Sequence, residues 1–285
     1  DVVQLLLDHS ERIELNARNN NGGTAFMWAC GNGHKDVVQL LLDSNIELNA
    51  RTNCESTAFM IACEKGHKDV VQLLLEHSER IELNARNNYG DTAFMHACSN
   101  GYKDVVKLLL DHSGSENIDF NAKYNRIGKT GFIMACEKGH KNVVKLFLDH
   151  SVSKNIELNA RTNYGETAFM LACNKGHKDV VQLLLNHPNP SIEVNAKCNN
   201  DTTALMWACN NGHKDVVQLL LNHPNPRIEV NAKANNDMTA FIVTCNQGHK
   251  DIVKLLLEFS DIDVTGYKSL NQEMIDFIEL KLSWN

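Results

Sequence analysis

Proline, aromatic residues and long apolar runs are all scarce in this chain of 285 residues. The 4 prolines, Pro188, Pro190, Pro224 and Pro226, fall in two short loops, where they end helices and form no catalytic pattern. Aromatic residues make up 6%, so any that occupy variable surface positions stand out. No stretch approaches the roughly 18 apolar residues that a membrane helix needs. Basic residues number 28 against 35 acidic ones, and the net charge of −7 opposes nucleic acid. No secretory signal, phosphate-binding loop, nucleophile elbow or isolated carboxylate dyad is visible. These absences predict a non-enzymatic chain without a cofactor, with neither a membrane nor a nucleic-acid partner.

What the sequence does contain is one phrase, T-A-F-M-x-A-C-x-x-G-H-K-D-V-V-x-L-L-L, returning with small changes from Thr24, Thr57, Thr92, Thr130, Thr167, Thr203 and Thr239. By subtraction the spacings lie between 33 and 38 residues, the range of stacked helical repeats. In each unit the Thr is a hydroxyl N-cap for a short helix, and the Gly, as at Gly33, offers a left-handed stop. A second helix follows, with Asp36 at its positive end and Val37, Val38, Leu41 and Leu42 forming an apolar stripe. Ile46-Glu47-Leu48-Asn49-Ala50-Arg51 then alternates apolar with polar residues before an Asn- or Gly-rich turn such as Asn87-Asn88-Tyr89-Gly90. This reads as an extended segment and a hairpin tip.

With Thr24, Ala29, Gly33, His34, Val38, Leu41, Leu42 and Asn49-Ala50 in register in unit after unit, the chain resembles the ankyrin repeat family over about nine tenths of its length. Similar large expansions occur in giant viruses, protists and intracellular bacteria. The resemblance implies an all-α ankyrin-repeat solenoid of stacked helix-turn-helix units with protruding β-hairpin tips. It also implies one elongated domain, 1–285, holding a partial first repeat at 1–17, seven full repeats at 18–260 and a C-terminal capping segment at 261–285. Two departures are systematic. The family's Pro is replaced by Ala or Gly (Ala25, Gly131), and its His by Met or Ile (Met27, Ile133), which fill the space by packing.

Extra residues in the longer units lie where the second helix ends, in the loops that hold the prolines. The chain opens on Val2-Val3-Gln4-Leu5-Leu6-Leu7, the second helix of a unit whose first helix the sequence does not include. This leucine stripe predicts self-association, or fraying over residues 1–20. At the other end Ser269 and Gln272 suggest a capping box, ahead of Leu270, Met274, Phe277, Ile278 and Leu282 on one helix face.

Seven of the nine cysteines, Cys30, Cys63, Cys98, Cys136, Cys173, Cys209 and Cys245, repeat at one place in the first helices. Helices stacked about 8–10 Å apart are too distant for disulfides or zinc, so these read as core residues of a reducing, cytoplasmic compartment. Cys54 and Cys198 fall in the tips and are expected to be exposed. Six histidines, among them His34, His67, His140, His177, His213 and His249, follow the glycines, and the resemblance implies that they brace one repeat against the next. Six more, including His9, close second helices; one histidine per layer is poor metal-ligand spacing, and no metal is expected. A cation series from Arg18 through Arg51 and Arg161 is preceded four places earlier by an acid, from Glu14 onward, which reads as mutual screening within an extended segment.

If shared residues build the scaffold, the positions that vary are the candidates for recognition. The resemblance implies a concave groove, formed by hairpin tips and first helices, that binds a partner protein. By register the candidates are Trp28, Tyr89, Asp91, His96, Arg126, Ile127, Lys129, Tyr164, Glu166 and Trp207, with Tyr89, Ile127 and Tyr164 as the centre. For the two tryptophans, packing between repeats is the competing reading. The expected function is a protein-protein interaction scaffold. The alternatives are a substrate adaptor for ubiquitin-ligase or other machinery carried on a portion outside this chain, and end-to-end self-assembly.

Overall fold

A computed structural model of the chain describes residues 2–7, 13–114, 117–124, 126–151, 154–187, 192–224, 227–259 and 261–283. His9, Pro188, Pro190 and Pro226 lie outside them, as do residues 8–12 of the segment expected to fray. A lone helix, α1 (Val2–Leu7), precedes seven helix pairs: α2 (Ala25–Gly31) and α3 (Lys35–Leu42), α4 (Ala58–Lys65) and α5 (Lys68–Leu75), α6 (Ala93–Ser99) and α7 (Lys103–Asp111), α8 (Gly131–Glu137) and α9 (Lys141–His150), α10 (Ala168–Asn174) and α11 (Lys178–Leu185), α12 (Ala204–Asn210) and α13 (Lys214–Asn222), α14 (Ala240–Asn246) and α15 (Lys250–Leu257). A final helix, α16 (Gln272–Leu282), packs on α15.

Each first helix starts and stops as its sequence dictates. The buried Thr24 hydroxyl accepts the Met27 N–H at 3.3 Å, and Thr57, Thr92, Thr130, Thr167, Thr203 and Thr239 repeat the bond. At the other end Gly33, Gly66, Gly101, Gly139, Gly176, Gly212 and Gly248 take φ between 71° and 78°, where a side chain is strained. Several of these glycines have a second reason to lack a Cβ. One added at Gly33 would stand 2.7 Å from His67 Nδ1, and one at Gly176 would stand 2.6 Å from His213 Nδ1.

The chain divides into two compact units, Asp1–Ala135 with Lys145–Ile156, and Cys136–Val144 with Glu157–Asn285. In unit 1, α2 packs on α4 and α4 on α6, while α3 packs on α5 and α5 on α7. In unit 2, α10 packs on α12 and α12 on α14, and the second helices follow the same order. The core is Phe, Met, Ala and Cys from the first helices against Val and Leu from the second; Met60, Met95, Ile133 and Met170 are at most 1% exposed where the family places His. Unit 1 also holds an aromatic cluster, with Phe94 edge-on to Phe120 at 4.8 Å and to Phe147 at 5.5 Å.

The fold is the expected all-α ankyrin-repeat solenoid type, but the β-hairpin tips are not there: among the described residues no strand occurs. The alternating Ile46–Arg51 segment is a tight turn, closed by the Ala50 N–H on the Glu47 carbonyl at 3.2 Å and repeated at Glu82 to Ala85 and at Glu193 to Ala196. The tips are single turns as well, closed by bonds such as Asn87 N–H to Asp91 O. Neighbouring tips share one main-chain bond, as Asn53 N–H to Asn21 O, reinforced by Asn53 Nδ2–H to Asn20 O. One such bond per tip makes no ladder, and without consecutive pairing there is no sheet.

The turns also redirect the charges. Arg18 meets Glu47 at 3.4 Å, Arg51 meets Glu82 at 2.6 Å and Arg161 meets Glu193 at 3.2 Å, so these three cations pair with the acid of the following repeat rather than with the one four places earlier. These exposed pairs are worth little individually. Between the same turns runs a column of asparagines. Asn49 Oδ1 accepts the Glu82 N–H and its Nδ2 donates to Arg80 O; Asn195 does the same with Glu229 and Arg227. The last helix is capped by Asn271, whose side chain accepts the Met274 N–H at 2.9 Å, and not by Ser269, which ends a short 3-10 turn. Met274 and Ile278 are buried beneath it, while Leu282 is exposed.

Candidate partner-binding surface

The repeated polar residues are committed to the scaffold. His67 donates from Nε2 to Gly31 O at 2.9 Å, His177 to Glu137 O at 2.8 Å, His213 to Asn174 O at 2.8 Å and His249 to Asn210 O at 3.3 Å. The expected brace between repeats is therefore a ring-to-carbonyl bond across each of these steps. All nine cysteines are free thiols. Burial pushes the seven helical thiols upward, Cys209 and Cys245 to about 12. Of the two tip cysteines, Cys54 is exposed as expected, but Cys198 is buried, because its tip closes over it and its Sγ donates to Asn200 Oδ1 at 2.8 Å. Among the described residues no three His, Cys, Asp or Glu side chains group to hold a metal, and no helix is long and apolar enough to cross a membrane.

The candidates sort into two kinds. Trp28, Tyr89 and Tyr164 stand out from the surface with 59%, 49% and 59% of their area exposed. Tyr89 and Tyr164 project from turn tips whose bases are locked. The Tyr89 N–H is held by Asn87 Oδ1 and the Tyr164 N–H by Thr162 Oγ1, so the rings are offered from rigid backbone. Arg126 is exposed and Ile127 half-buried in the tip between Tyr124 and Lys129, which the Tyr124 N–H to Lys129 O bond closes at 2.8 Å. The side chains of His96 and Glu166 are occupied by groups of the adjoining tips, whereas Asp91 closes its tip through its main chain. Asp91 O accepts the Asn87 N–H, His96 Nε2 accepts from Asn87 Nδ2 at 3.4 Å, and the Glu166 carboxylate accepts the Thr162 hydroxyl at 3.1 Å. Unit 1 carries Trp28, Tyr89, Asp91, His96, Arg126, Ile127 and Lys129; unit 2 carries Tyr164, Glu166 and Trp207.

Trp28 and Trp207 each line a recess between a tip and the next first helix. The Trp28 recess is about 270 Å³, with Asn19, Asn21 and Gly23 at the tip and Ile61 and Lys65 opposite. The Trp207 recess is about 480 Å³, with Asn200 and Thr202 at the tip and Asn236, Met238 and Val243 opposite. Trp207 is half-buried, and its Nε1–H is shielded from solvent with no acceptor. A buried donor left unpaired costs about 1–3 kcal/mol. Trp28 is thus an exposed surface side chain, and Trp207 is half-buried.

The ten candidates read from the sequence include Trp207 but not Asn200, Thr202, Asn236, Met238 and Val243, which line its recess. The available signal was the pairing of a Trp with asparagines at its own tip and at the next. The asparagine column went unread as a bonding element, although its place in every unit, just before the alanine, marked it.

Helix pairs stacked by first-helix packing, glycine stops under histidines and single-turn tips define an ankyrin-repeat protein. The family profile of ankyrin repeats matches residues 1–52, 44–124, 114–198 and 191–268, and the chain belongs to that family. Among solved structures it is similar to the ankyrin repeat domain of Bcl-3, described as a unique member of the IkappaB protein family. The TM-score is 0.66 at 23% identity, covering 79% of this chain and 95% of that one. A search of curated proteins finds no match.

Proposed function

We propose that the chain is a non-enzymatic protein-protein interaction scaffold, binding a partner protein through its turn tips and the exposed side of its first helices. Residues 18–260 supply seven full repeats, with a partial repeat at 1–17 and a closing segment at 261–285. The observation that carries this is the division of labour among side chains. Repeated polar groups are bonded within the scaffold, whereas Trp28, Tyr89 and Tyr164, large apolar rings in a chain poor in them, are exposed at positions that vary. Exposed aromatic residues on rigid backbone make effective anchors, since little entropy is lost when they are covered. Arg126 and Lys129 add a polar rim beside Ile127.

The test replaces Tyr89, Ile127 and Tyr164 together by Ser and compares affinity capture from cytosolic lysate with that of the parent chain, with captured proteins identified by mass spectrometry. Loss of a defined partner with an unchanged thermal transition supports the reading; unchanged capture overturns this choice of centre.

A second reading rests on α1. Leu5 and Leu6 are 61% and 50% exposed, whereas Leu41, in the register of Leu6, is 5% exposed. A helix from another repeat laid on that face would bury them, so association through this edge gives oligomers whose size grows with concentration in light scattering.

A further inference from the structure

The geometry points to Asn21 as a modification site at which the chain acts on itself: its carboxamide converts, without an enzyme, to a mixture of aspartate and isoaspartate. This goes beyond the scaffold reading and does not depend on it. The reaction needs an asparagine followed by a residue whose main-chain nitrogen is unhindered, and glycine is the least hindered of all. The Gly22 nitrogen gives its proton to hydroxide and attacks Asn21 Cγ. The N–Cγ bond forms, the Cγ–Nδ2 bond breaks, and Nδ2 takes up a proton and leaves as ammonia, which closes a five-membered imide. Water then opens the ring at Cγ to give aspartate, or at the former main-chain carbonyl carbon to give isoaspartate, with the chain running through Cγ. No oxidant or cofactor enters.

Four asparagines precede a glycine, Asn21, Asn32, Asn100 and Asn211, and all four are exposed, so neither the dipeptide nor exposure separates them. Hydrogen bonds do. Asn32 Nδ2 donates to Trp28 O at 2.8 Å, Asn100 Nδ2 to Glu64 O at 3.2 Å, and Asn211 Nδ2 to Asn174 Oδ1 at 2.6 Å and Trp207 O at 3.0 Å. Each of these three closes a first helix, and the glycine after it donates its N–H to the carbonyl of Cys30, Cys98 or Cys209. Asn21 belongs to no helix. Its carboxamide makes no hydrogen bond among the described residues, so Cγ is free to turn toward the Gly22 nitrogen. One bond, Gly22 N–H to Asn19 O at 2.9 Å, has to open first. Each hydrogen bond that must open lowers the reactive population by up to about tenfold, so Asn21 leads and Asn211, with the most bonds, comes last. The product also disturbs the next tip. Asn21 O accepts the Asn53 N–H at 2.9 Å, and a Cβ added to Gly22 would stand 2.8 Å from Asn53 Oδ1. Isoaspartate lengthens the main chain there by one methylene and moves that carbonyl into a free carboxylate, so the two tips separate.

The test holds the full chain in mildly alkaline buffer in which its circular dichroism stays unchanged, and follows conversion by tryptic digestion and mass spectrometry. Asn21 and Asn32 fall in one tryptic peptide, residues 19–35, so fragment masses compare them directly. Asn21 should convert about tenfold faster than Asn32, with Asn211 slowest, and its lead should disappear in denaturant. Asn174→Ala, which removes the acceptor at 2.6 Å, should speed Asn211 several-fold and leave Asn21 unchanged. In the isoaspartyl form the Asn53 amide should exchange faster with deuterium. Asn32 keeping pace with Asn21 in the folded chain, no conversion of Asn21 where the denatured chain converts, or the same ranking folded and denatured overturns the proposal. If Asn211 ignores Asn174→Ala in a folded variant, hydrogen bonding is not what selects the site; if that variant does not fold, the comparison within peptide 19–35 decides. Unaltered exchange at Asn53 overturns the separation of the tips.

Discussion

Trp28 in unit 1 and Trp207 in unit 2 hold the same place in their repeats, four residues after the capping threonine, on helices with the same cap, the same buried Cys and the same following glycine. Yet one indole is 59% exposed and the other half-buried with its N–H unpaired. The difference lies at the tip. Gly23 stands beside the Trp28 indole, and a Cβ added there would be 3.5 Å from Nε1. In register with Gly23, unit 2 has Thr202, which lines the recess beside Trp207. A constant scaffold therefore gives two surfaces, set apart by single residues on the neighbouring tip.

The sharpest way to break the comparison is to attack the layer that both units share. Cys30, Cys63 and Cys98 in unit 1, and Cys136, Cys173, Cys209 and Cys245 in unit 2, all have thiols pushed up by desolvation. In an unfolded chain a thiol ionises near pH 8.5, so above that pH the unfolded state binds fewer protons than the folded one. The stabilisation is complete below the unfolded value and is lost as pH rises toward the folded values. The slope approaches about 1.4 kcal/mol per thiol per pH unit, and four thiols would exhaust a typical stability of about 5–15 kcal/mol within about two units. Helical circular dichroism should fall cooperatively between about pH 9 and 11. Cys→Ala at Cys173 and Cys209 should move the midpoint of the unit 2 transition upward; a midpoint indifferent to both substitutions would contradict the buried assignment.

A smaller effect distinguishes two glycines of unit 2. Gly212 and Gly248 have φ of 71° and 78°, but a Cβ on Gly212 would stand 2.7 Å from the His249 ring, and one on Gly248 meets nothing within 4 Å. Gly248→Ala should cost only the left-handed penalty, about 1 kcal/mol, and Gly212→Ala about 2–3 kcal/mol, read from denaturant midpoints. Gly33→Ala in unit 1, facing the His67 ring at 2.7 Å, should match Gly212→Ala. Equal costs at Gly212 and Gly248 would mean that the histidine brace yields freely.

How much of this was legible in the sequence follows the range of the interactions involved. The caps at Thr24 and its counterparts, the glycine stops and the apolar stripes are decided within a few residues, and all were readable. The histidine brace was readable through register with a known family. Ile-Glu-Leu-Asn-Ala-Arg was misread as extended because six alternating residues satisfy a strand's period. What makes it a turn is the i to i+3 bond together with an asparagine that reaches into the following repeat some 30–35 residues on. The exposure of Cys198 was misjudged for a similar reason, since its burial comes from the closing of its own tip around Asn200. The Trp207 recess joins one tip, its own helix and the next tip, so no local window of sequence contains it.

The finest test exchanges the tip residues. In a background where the other tryptophans are Phe, Thr202→Gly should open Trp207 and Gly23→Thr should shelter Trp28. Each should change stability by no more than about 1 kcal/mol, because neither position is in a helix and neither glycine geometry at Gly23 nor a buried core contact at Thr202 is at stake. The readout is emission and quenching: Trp207 should shift to the red and become more accessible to acrylamide, and Trp28 should do the reverse. The exchange is not expected to be symmetric. A Cβ at Gly23 also comes within 3.3 Å of the Asn19 side chain, which has to give by a few tenths of an ångström while still accepting the Asn21 N–H. The unit 1 variant should therefore respond less fully. If Trp207 stays sheltered in Thr202→Gly, the control of the recess passes from its own tip to Met238 and Val243 of the next repeat, and the contrast between the two tryptophans belongs to the neighbouring repeat.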